Sequence, residues 1–320
     1  MKIVKTIVLG TLAIIVALLF TCIAYFTPLD AKAQGYKFIK GVTEVLPHGL
    51  EIEMTGSELR VLILADTHYG TGTTNIRQID SLVKSMVKNT NPDMIVLLGD
   101  NVCNFNAHTR LQHVIRLMDS FAIPWSPVFG NHDAEGRATK RYLARMIADK
   151  SQFAIFDYGP NNFGKDVAGN YFVNVKNEGQ AVHTLYFLDS ATQTKTIRYP
   201  KMPLGILDLY EAAVIENDYL PSTMFSHYPI QEYSLDRIFR AIPENIGLFD
   251  LMHRLGSTRQ MFAGHVHGRG TTIEHEGIKL SYATTSRLRG LGITENSLVG
   301  GTLLTVLDDG QTSYRRVSYK

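Results

Sequence analysis

Several features that assign a protein to a class are scarce or missing in this chain of 320 residues. It has two cysteines, Cys22 and Cys103, and Cys22 lies in an apolar segment, so the rest of the chain cannot form an internal disulfide. The 32 basic and 30 acidic residues form no long runs of one sign, so no nucleic-acid partner is indicated. No internal repeat is present, and the GTGTTN segment lacks the lysine of a phosphate-binding P-loop. These absences exclude a disulfide-rich scaffold, a repeat protein and a P-loop nucleotide hydrolase.

The chain does contain a long apolar segment near its start. Thr6–Phe26 comprises 21 residues without a charge and comes after Lys2 and Lys5, which is long enough for a membrane-spanning helix. Two interpretations fit: an uncleaved anchor, or a signal peptide cleaved after Ala31-Lys32-Ala33. The length favours the anchor, because the apolar region of a signal peptide usually has about 7–15 residues. Either segment would export the rest of the chain, so we expect an extracytoplasmic body that is membrane-anchored, or secreted if cleavage occurs after Ala33.

The remainder of the chain divides into a short connection and one large domain. In the connection, the segment LEIEMT alternates apolar and polar residues like an edge strand. No convincing linker occurs after residue 56. We therefore predict an anchor or signal segment at residues 1–30, a connecting segment with an edge strand at 31–56, and one domain at 57–320.

Strand and helix patterns alternate in the first half of this domain. Arg60–Ala65 and Met94–Leu98 are continuous apolar strands, and Trp125–Phe129 is a shorter one. Helical spacing of apolar residues occurs at Ile76–Asn89 and again between residues 111 and 121. This alternation predicts a largely buried sheet that is covered by helices.

The second half is richer in strands. Four are predicted, at Tyr171–Val175, Thr184–Leu188, Thr223–Ser226 and Arg259–Ala263. Two hairpins come after them, one joining Thr271–His275 to Ile278–Tyr282 and one joining Thr302–Leu307 to Ser313–Ser318. These elements predict an α/β fold of two packed mixed β-sheets flanked by helices, rather than a single doubly wound sheet.

Polar residues stand directly after five of the predicted strands. The strands run into the segments Asp66-Thr67-His68, Gly99-Asp100-Asn101, Gly130-Asn131-His132-Asp133, His227-Tyr228-Pro229 and Gly264-His265-Val266-His267. In open α/β sheets, ligands bind outside the carboxyl ends of the strands, where these five loops lie if the strands are parallel neighbours. One site can therefore collect all of them.

The residue types in these loops are typical of a metal site. Aspartate, asparagine and histidine offer oxygen and nitrogen donors, which suit zinc, iron or manganese rather than an all-thiolate centre. Seven or eight such donors exceed what one tetrahedral metal takes, and they suit two metals that share a carboxylate. The candidate ligands are Asp66, His68, Asp100, Asn131, His227, His265 and His267.

The ordered series D-x-H, G-D-N, G-N-H-D, H-Y-P and G-H-V-H resembles the calcineurin-like metallophosphoesterases over residues 59 to about 290. The segments LADTHYG, IPWSPVFGNHD and LYFLDS are further similar to the purple-acid-phosphatase-like proteins of fungi and plants. The resemblance implies the four-layer sandwich of that family, with helices outside the two sheets. It also implies two divalent or trivalent metal ions, with manganese, iron and zinc all compatible with these donors.

Family roles can be carried over residue by residue. By resemblance, one metal is held by Asp66, His68 and His267, the other by Asn131, His227 and His265, and Asp100 bridges the pair. His132 matches the histidine that the family uses near the leaving group.

One position departs from better-known branches. Cys103 stands where the protein phosphatases have the aspartate that orients this histidine and where true purple acid phosphatases have a tyrosine ligand to iron. The partner of His132 is therefore not given by the motif. Arg269 and Arg287 are candidates for contacts with the phosphate.

The resemblance implies hydrolysis of phosphate esters. Two metals about 3.5–4 Å apart can lower the pKa of a bridging water towards about 7, and the resulting hydroxide attacks phosphorus in line. His132 then protonates the departing alkoxide. We expect a phosphatase that acts on a small phosphate ester or an envelope substrate and contacts the membrane through its N-terminal helix. Two alternatives remain: a phosphodiesterase acting on envelope or cyclic nucleotide substrates, and a catalytically silent metal-binding scaffold.

Overall fold

The computed structural model describes most of the chain. The described residues are 2–41, 50–70, 76–164, 166–190, 202–236, 246–289, 293–294 and 297–319. They form two β-sheets with helices on the outer faces, as the sequence predicts.

The smaller sheet has five strands in the order β12-β11-β2-β3-β4. Its strands are β2 (Glu58–Leu64), β3 (Met94–Leu98), β4 (Trp125–Val128), β11 (Gly300–Leu307) and β12 (Thr312–Ser318). Strands β2, β3 and β4 are parallel, whereas β11 runs antiparallel to both β2 and β12. The predicted β11–β12 hairpin is therefore confirmed.

The larger sheet has seven strands in the order β1-β5-β6-β7-β8-β10-β9. Its strands are β1 (Glu51–Glu53), β5 (Tyr171–Asn177), β6 (Gln180–Leu188), β7 (Ser222–Ser226), β8 (Thr258–Ala263), β9 (Thr272–His275) and β10 (Ile278–Tyr282). Strands β6, β7, β8 and β10 are parallel, while β5–β6 and β9–β10 are antiparallel pairs. The short β1 lies at one edge, as the alternating LEIEMT segment predicts.

Helices cover the outer face of each sheet. They are α2 (Ile76–Thr90), α3 (Ala107–Asp119) and α4 (Lys140–Lys150) on the five-stranded sheet, and α5 (Leu204–Glu216) and α6 (Leu248–Leu255) on the seven-stranded sheet. A short 3-10 helix spans Gln231–Asp236. The hydrophobic spacing that predicts a helix at 76–89 corresponds to α2.

The alternation of β2 shows how one strand contributes to two layers. Leu62 and Leu64 pack against the helices, whereas Val61 and Ile63 belong to the cluster between the sheets. Successive side chains of a strand point to opposite faces, so an uninterrupted apolar run fills both layers. The region between the sheets also contains a stack of neighbouring rings, Phe187, Phe225 and Phe262. These contacts fix the edge at which the polar loops meet.

The N-terminal helix α1 (Lys2–Phe26) precedes both sheets in the chain and contacts the domain near its carboxyl end, where Arg137 Nη1 donates to the carbonyl oxygen of Tyr25. Within the described part of the chain, it is the one helix whose length and composition fit a membrane span, with a mean hydropathy of 2.4 over Leu9–Phe26. None of that window is buried inside the protein. The helix therefore presents an apolar surface and is a candidate for a membrane anchor or a signal peptide.

The five polar loops lie at the carboxyl ends of strands in two different sheets. Strands β2, β3 and β4 are parallel neighbours in one sheet, and β7 and β8 are parallel neighbours in the other. The loops are thus parallel neighbours only within each sheet, and the two sets approach one another across the gap between the predicted two sheets. The backbone N–H of His265 donates to Oδ1 of Asp66, 199 residues away, at 3.0 Å.

Candidate metal centre

The structure brings all seven predicted ligands and His132 to one place. Three groups of carboxylate and imidazole atoms lie within 4.8 Å of one another: Asp66 with His68 and His267, His68 with Asp100 and His132, and Asp100 with His227 and His265. The first and third groups overlap the two ligand sets that the family resemblance implies. The second group joins them, because it shares His68 with the first and Asp100 with the third.

The first group faces a common point with one carboxylate and two imidazoles. His68 Nε2 lies 3.0 Å from His267 Nε2, and His267 Nε2 lies 3.4 Å from Asp66 Oδ1. Asp66 Oδ2 is buried and has no hydrogen-bond partner among the described residues. Two ring nitrogens aimed at each other beside an unpartnered carboxylate oxygen form a set of donors that a cation satisfies.

Asp100 occupies the position between the two groups. Its Oδ1 accepts a hydrogen bond from the backbone N–H of His132 at 2.8 Å, which fixes the carboxylate. Its Oδ2 lies 3.2 Å from His227 Nε2 and 3.6 Å from His68 Nε2. One oxygen thus contacts a histidine from each group, which is the arrangement that a bridging carboxylate requires.

The remaining group centres on the side-chain oxygen of Asn131. This Oδ1 lies 3.2 Å from His227 Nε2 and 3.1 Å from His265 Nδ1. The other nitrogen of His227, Nδ1, lies 3.2 Å from the carbonyl oxygen of Leu98 and donates to it. That bond fixes the ring and directs Nε2 into the site, as carbonyl partners of metal-binding histidines do.

The backbone at these residues is unusual. Asp66, His68, Asp100 and His265 have φ values of 57°, 47°, 48° and 66°, in the left-handed region that non-glycine residues seldom adopt. Such conformations cost free energy and persist where surrounding contacts enforce them, commonly at functional sites. The strand ends therefore turn sharply, and each turn directs a donor inward.

The charges of the site favour cations. Burial opposes ionisation of Asp100, but the charges of His227 and His68 and the hydrogen bond from His227 hold its pKa well below the usual range. Burial also opposes ionisation of Asp66, and contacts with His267 still leave its pKa below the ordinary value. Two buried carboxylates therefore stay ionised in a small volume, beside the neutral imidazoles of His68 and His265. Burial lowers the pKa of both His68 and His265 to about 4.

Glycine is required where the loops touch. At Gly130, a Cβ would overlap Oδ1 and the backbone nitrogen of Asp100. At Gly99, which has a φ of 74°, it would overlap the ring of His227. These glycines thus make room for donor residues from other loops of the site.

Glu135 is a site residue that the sequence motifs do not reveal. Its Oε2 contacts Nδ1 of His132, and its Oε1 accepts the backbone N–H of Asn104 at 2.8 Å. Burial alone lowers the pKa of His132, but the bond to Glu135 and the charge of Asp100 raise it above its ordinary value. The i, i+3 spacing of the two residues is the signal that the sequence offers. It becomes informative only once the turn between them is known.

Asp133 and Cys103 contact backbone groups of other residues in these loops. Asp133 is buried and accepts the backbone N–H groups of Gly130 at 2.7 Å and Val102 at 2.9 Å, so it ties two loops together. The Cys103 thiol is also buried, and its Sγ lies 3.6 Å from the carbonyl oxygen of His68. Burial raises the pKa of Cys103 to about 12. This thiol is therefore neutral and does not supply the charge that an aspartate would have at its position.

The fold and this donor set define a metallophosphoesterase. The chain belongs to the calcineurin-like phosphoesterase family, whose model matches residues 59–269. The matched span contains every candidate ligand, His132 and Glu135. The family assignment from the motifs is therefore confirmed.

A plant relative is named as a purple acid phosphatase, in agreement with the resemblance to the purple-acid-phosphatase-like proteins. Over 297 residues the chain is 25% identical to Probable inactive purple acid phosphatase 14 of Arabidopsis thaliana, covering 74% of this chain and 73% of that protein. Over 181 residues it is 27% identical to Phosphatase DCR2 of Saccharomyces cerevisiae, covering 48% of this chain and 30% of that protein. A solved dimetal phosphatase from Danio rerio shares the fold, with a TM-score of 0.55, 13% identity, and 83% of this chain and 100% of that chain covered.

Proposed function

We propose that this protein hydrolyses phosphate esters with a pair of metal ions held at the strand ends. The observation that carries the proposal is the position of Asp100, whose Oδ2 contacts His68 of one donor group and His227 of the other. A carboxylate shared by two donor groups fits two cations better than one. Manganese, iron and zinc all suit these donors.

The proposed ligand sets follow the grouping of the donor atoms in space. Asp66, His68 and His267 would hold one ion, Asn131, His227 and His265 the other, and Asp100 both. When bound, the ions would supply Lewis acidity and a nucleophile at neutral pH, so that no covalent protein nucleophile is required.

His132 would donate a proton to the leaving group, and Glu135 would position His132. The Glu135 carboxylate accepts the Nδ1 hydrogen of His132, which favours the imidazolium and fixes the plane of the ring. The second imidazolium proton then resides on Nε2, from which it can pass to a departing alkoxide oxygen. Glu135 is a positioning residue in this scheme, because it acts through His132 and not on the substrate.

A cation near the site suits a phosphate substrate. Arg287 is buried, and its charge contributes to lowering the pKa of His68. An arginine in this position can pair with phosphate oxygens in a bidentate manner. We include Arg287, rather than the more exposed Arg269, as a contact for the phosphate.

The main alternative is a metal-binding scaffold without activity. The name of the Arabidopsis relative contains the word inactive, and that description applies to the relative alone. The retention of His132 with its partner Glu135 supports the catalytic proposal, since a scaffold would need neither. Monoesters and diesters, including envelope and cyclic nucleotide substrates, use the same metals. Enzymes for these two classes of ester differ in the residues that line the substrate pocket.

We further propose that α1 stays attached and anchors an extracytoplasmic catalytic domain. The segment just after the helix pairs with the domain, since Leu29 N–H donates to Arg137 O at 2.6 Å and Thr139 N–H donates to Leu29 O at 2.9 Å. Cleavage after Ala33 would remove this strand-like pairing. A removable signal peptide has no need of it.

The test uses the full chain in detergent. Bound metal is quantified, and hydrolysis of an aryl monophosphate is compared with that of a bis-aryl phosphate after loading with manganese, zinc or iron. We expect Asp100→Asn to lose metal and activity together, because it removes the shared charge. Asp149→Asn, which alters an exposed pair with Arg145, is the matched control and should retain both. If the wild type binds metal but cleaves neither ester, the scaffold alternative is correct.

A further inference from the structure

The chain that leaves the membrane helix is docked on the catalytic domain. We call residues 27–40 the exit segment. Besides the backbone pairing at Leu29, the Asp30 carboxylate accepts hydrogen bonds from Arg141 Nη2 at 3.0 Å and Thr139 Oγ1 at 2.5 Å. Arg137 Nη1 donates at 2.6 Å to the carbonyl oxygen of Tyr25, in the last turn of α1. These bonds satisfy a carbonyl that a helix end leaves open.

Aromatic contacts hold the end of the helix from another side. Phe105 packs against the last two aromatic residues of α1, with ring centroids 4.9 Å from Tyr25 and 5.7 Å from Phe26. Tyrosine at a helix end, such as Tyr25, is typical of the membrane–water interface. Phe105 belongs to the part of the domain that lies next to this end of α1.

The docking continues beyond the predicted cleavage point. Tyr36 forms a bridge with Pro160, and Phe38 exchanges hydrogen bonds with the side chain of Asn162, at 3.1 Å and 3.0 Å. Phe38 is buried. The exit segment is thus attached on both sides of Ala33 and differs from a loose tether.

The docked end of the helix lies close to the mouth of the metal site. Phe105 is next to Asn104, whose N–H binds Glu135, and Glu135 contacts His132. The side chain of His132 is 43% exposed, so it marks the open side of an otherwise buried site. Adding these contacts and side-chain lengths limits the separation of His132 from the end of α1 to roughly 20 Å.

This upper limit equals a few thicknesses of a headgroup layer. A bilayer of about 40–45 Å with a core of about 30 Å leaves about 5–8 Å for the headgroups on each side. With α1 spanning a bilayer, lipid phosphates would therefore lie within roughly 20 Å of the site mouth. A soluble substrate would need no such placement.

We propose that the exit segment holds the metal site at the bilayer surface, and that its substrate is a phosphate ester carried by a membrane lipid. This inference rests on the proposed phosphoesterase activity and adds its substrate class. Its physical basis is the rigid pairing of Leu29 and Asp30 with residues 137–141, which prevents the domain from rotating freely on its anchor.

The test compares one enzyme on two forms of substrate. The metal-loaded full chain is placed in phosphatidylcholine vesicles containing phosphatidic acid, a monoester, or phosphatidylglycerol, a diester, and is also assayed with soluble aryl phosphates. The triple variant Asp30→Ala, Arg137→Ala, Arg141→Ala undocks the exit segment. The matched control is Arg145→Ala, Asp149→Ala, which removes another exposed aspartate–arginine pair involving α4.

We expect the wild type and the control to cleave one of the vesicle lipids. For the undocked variant, the rate of lipid cleavage should fall about tenfold. Its rate on the soluble ester should stay within twofold of the wild type, which shows that the variant is folded. Equal lipid rates for wild type and undocked variant would overturn the inference. Cleavage of soluble esters but of neither lipid would also overturn it and would leave the proposed activity standing. If no substrate is cleaved, the proposed activity itself fails.

Mass spectrometry of the mature chain should find α1 retained, and a chain beginning at Gln34 would contradict the docked anchor.

Discussion

His227 Nε2 lies 3.2 Å from Oδ2 of Asp100, and both side chains are buried. Burial alone would lower the pKa of His227, but the charge and hydrogen bond of Asp100 raise it to about 9. In the metal-free protein at pH 7 this imidazole therefore carries a proton. A metal ion that binds Nε2 must displace that proton.

This pairing predicts proton release on metal binding. Since the pKa of metal-free His227 lies near 9, apparent affinity at its site should rise by up to about tenfold per pH unit below that value and level off above it. Calorimetry at pH 7 in two buffers with different ionisation enthalpies should show release of at least one proton, that of His227, and ionisation of a metal-bound water adds to it. His68 and His265 add nothing at this pH, because their pKa values are about 4. A binding enthalpy that is independent of the buffer would contradict the assignment of His227.

Replacing His132 should separate metal binding from proton transfer. His132→Ala removes no proposed ligand, so the metal content should stay at the wild-type level. Because the donor of the leaving-group proton is lost, the rate on alkyl esters should fall by about 10²–10⁴-fold. A nitrophenyl ester, whose leaving group needs no proton, should lose less than about tenfold. An equal loss on both esters would exclude the assigned role.

Glu135 variants test whether this carboxylate acts through His132. Glu135→Ala should lower the alkyl ester rate by about ten- to a hundredfold with little effect on KM, and Glu135→Gln should restore part of it because an amide oxygen still accepts the Nδ1 hydrogen. In a His132→Ala background, Glu135→Ala should have almost no further effect. Additive losses would mean that Glu135 merely supports the loop through Asn104.

The close approach of two loops makes Gly130 sensitive to one methyl group. In Gly130→Ala, the new Cβ overlaps Oδ1 of Asp100, so the shared carboxylate must shift. We expect metal affinity to fall at least tenfold, because one ligand leaves its position. Gly56→Ala is the control, since nothing lies within 4 Å of a Cβ at that position. Unchanged metal content in Gly130→Ala would show that Asp100 is not confined as described.

A buried histidine far from the metal centre sets part of the acid stability. His183 bonds to Gly310 O through Nδ1 and to the Thr223 hydroxyl through Nε2, and burial lowers its pKa to about 4. The folded pKa is below the unfolded value of about 6.5, so this stability is complete above pH 6.5 and is lost as the pH falls towards 4. Between pH 7 and 4.5 the loss is about 2–3 kcal/mol.

Urea unfolding of wild type and His183→Gln at these two pH values measures this contribution. The free-energy difference between the two proteins should shrink by about 2–3 kcal/mol at the lower pH, because glutamine does not titrate. The comparison cancels the effects of His68 and His265, which are common to both proteins. A difference independent of pH would show that His183 is not the group responsible.

The sequence alone was sufficient for the elements and for the ligand types. Continuous apolar runs such as Met94–Leu98 form strands with the predicted bounds, because period and composition are local properties of the chain. The polar residue that ends each run is equally local, so Asp66, Asp100 and His227 could be named from the sequence. The turn residues Glu276-Gly277 likewise predicted the hairpin that the structure contains.

Only the tertiary structure decided how these pieces meet. The division of five parallel strands between two sheets, the choice of Glu135 over Asp133 as the partner of His132, and the docking of Leu29 against Arg137 and Thr139 all involve contacts between separate elements. Periodicity determines which face of an element is buried, but it carries no information about which distant element covers that face. That selection depends on packing between the two sheets, and the same packing brings side chains nearly two hundred residues apart to a common point.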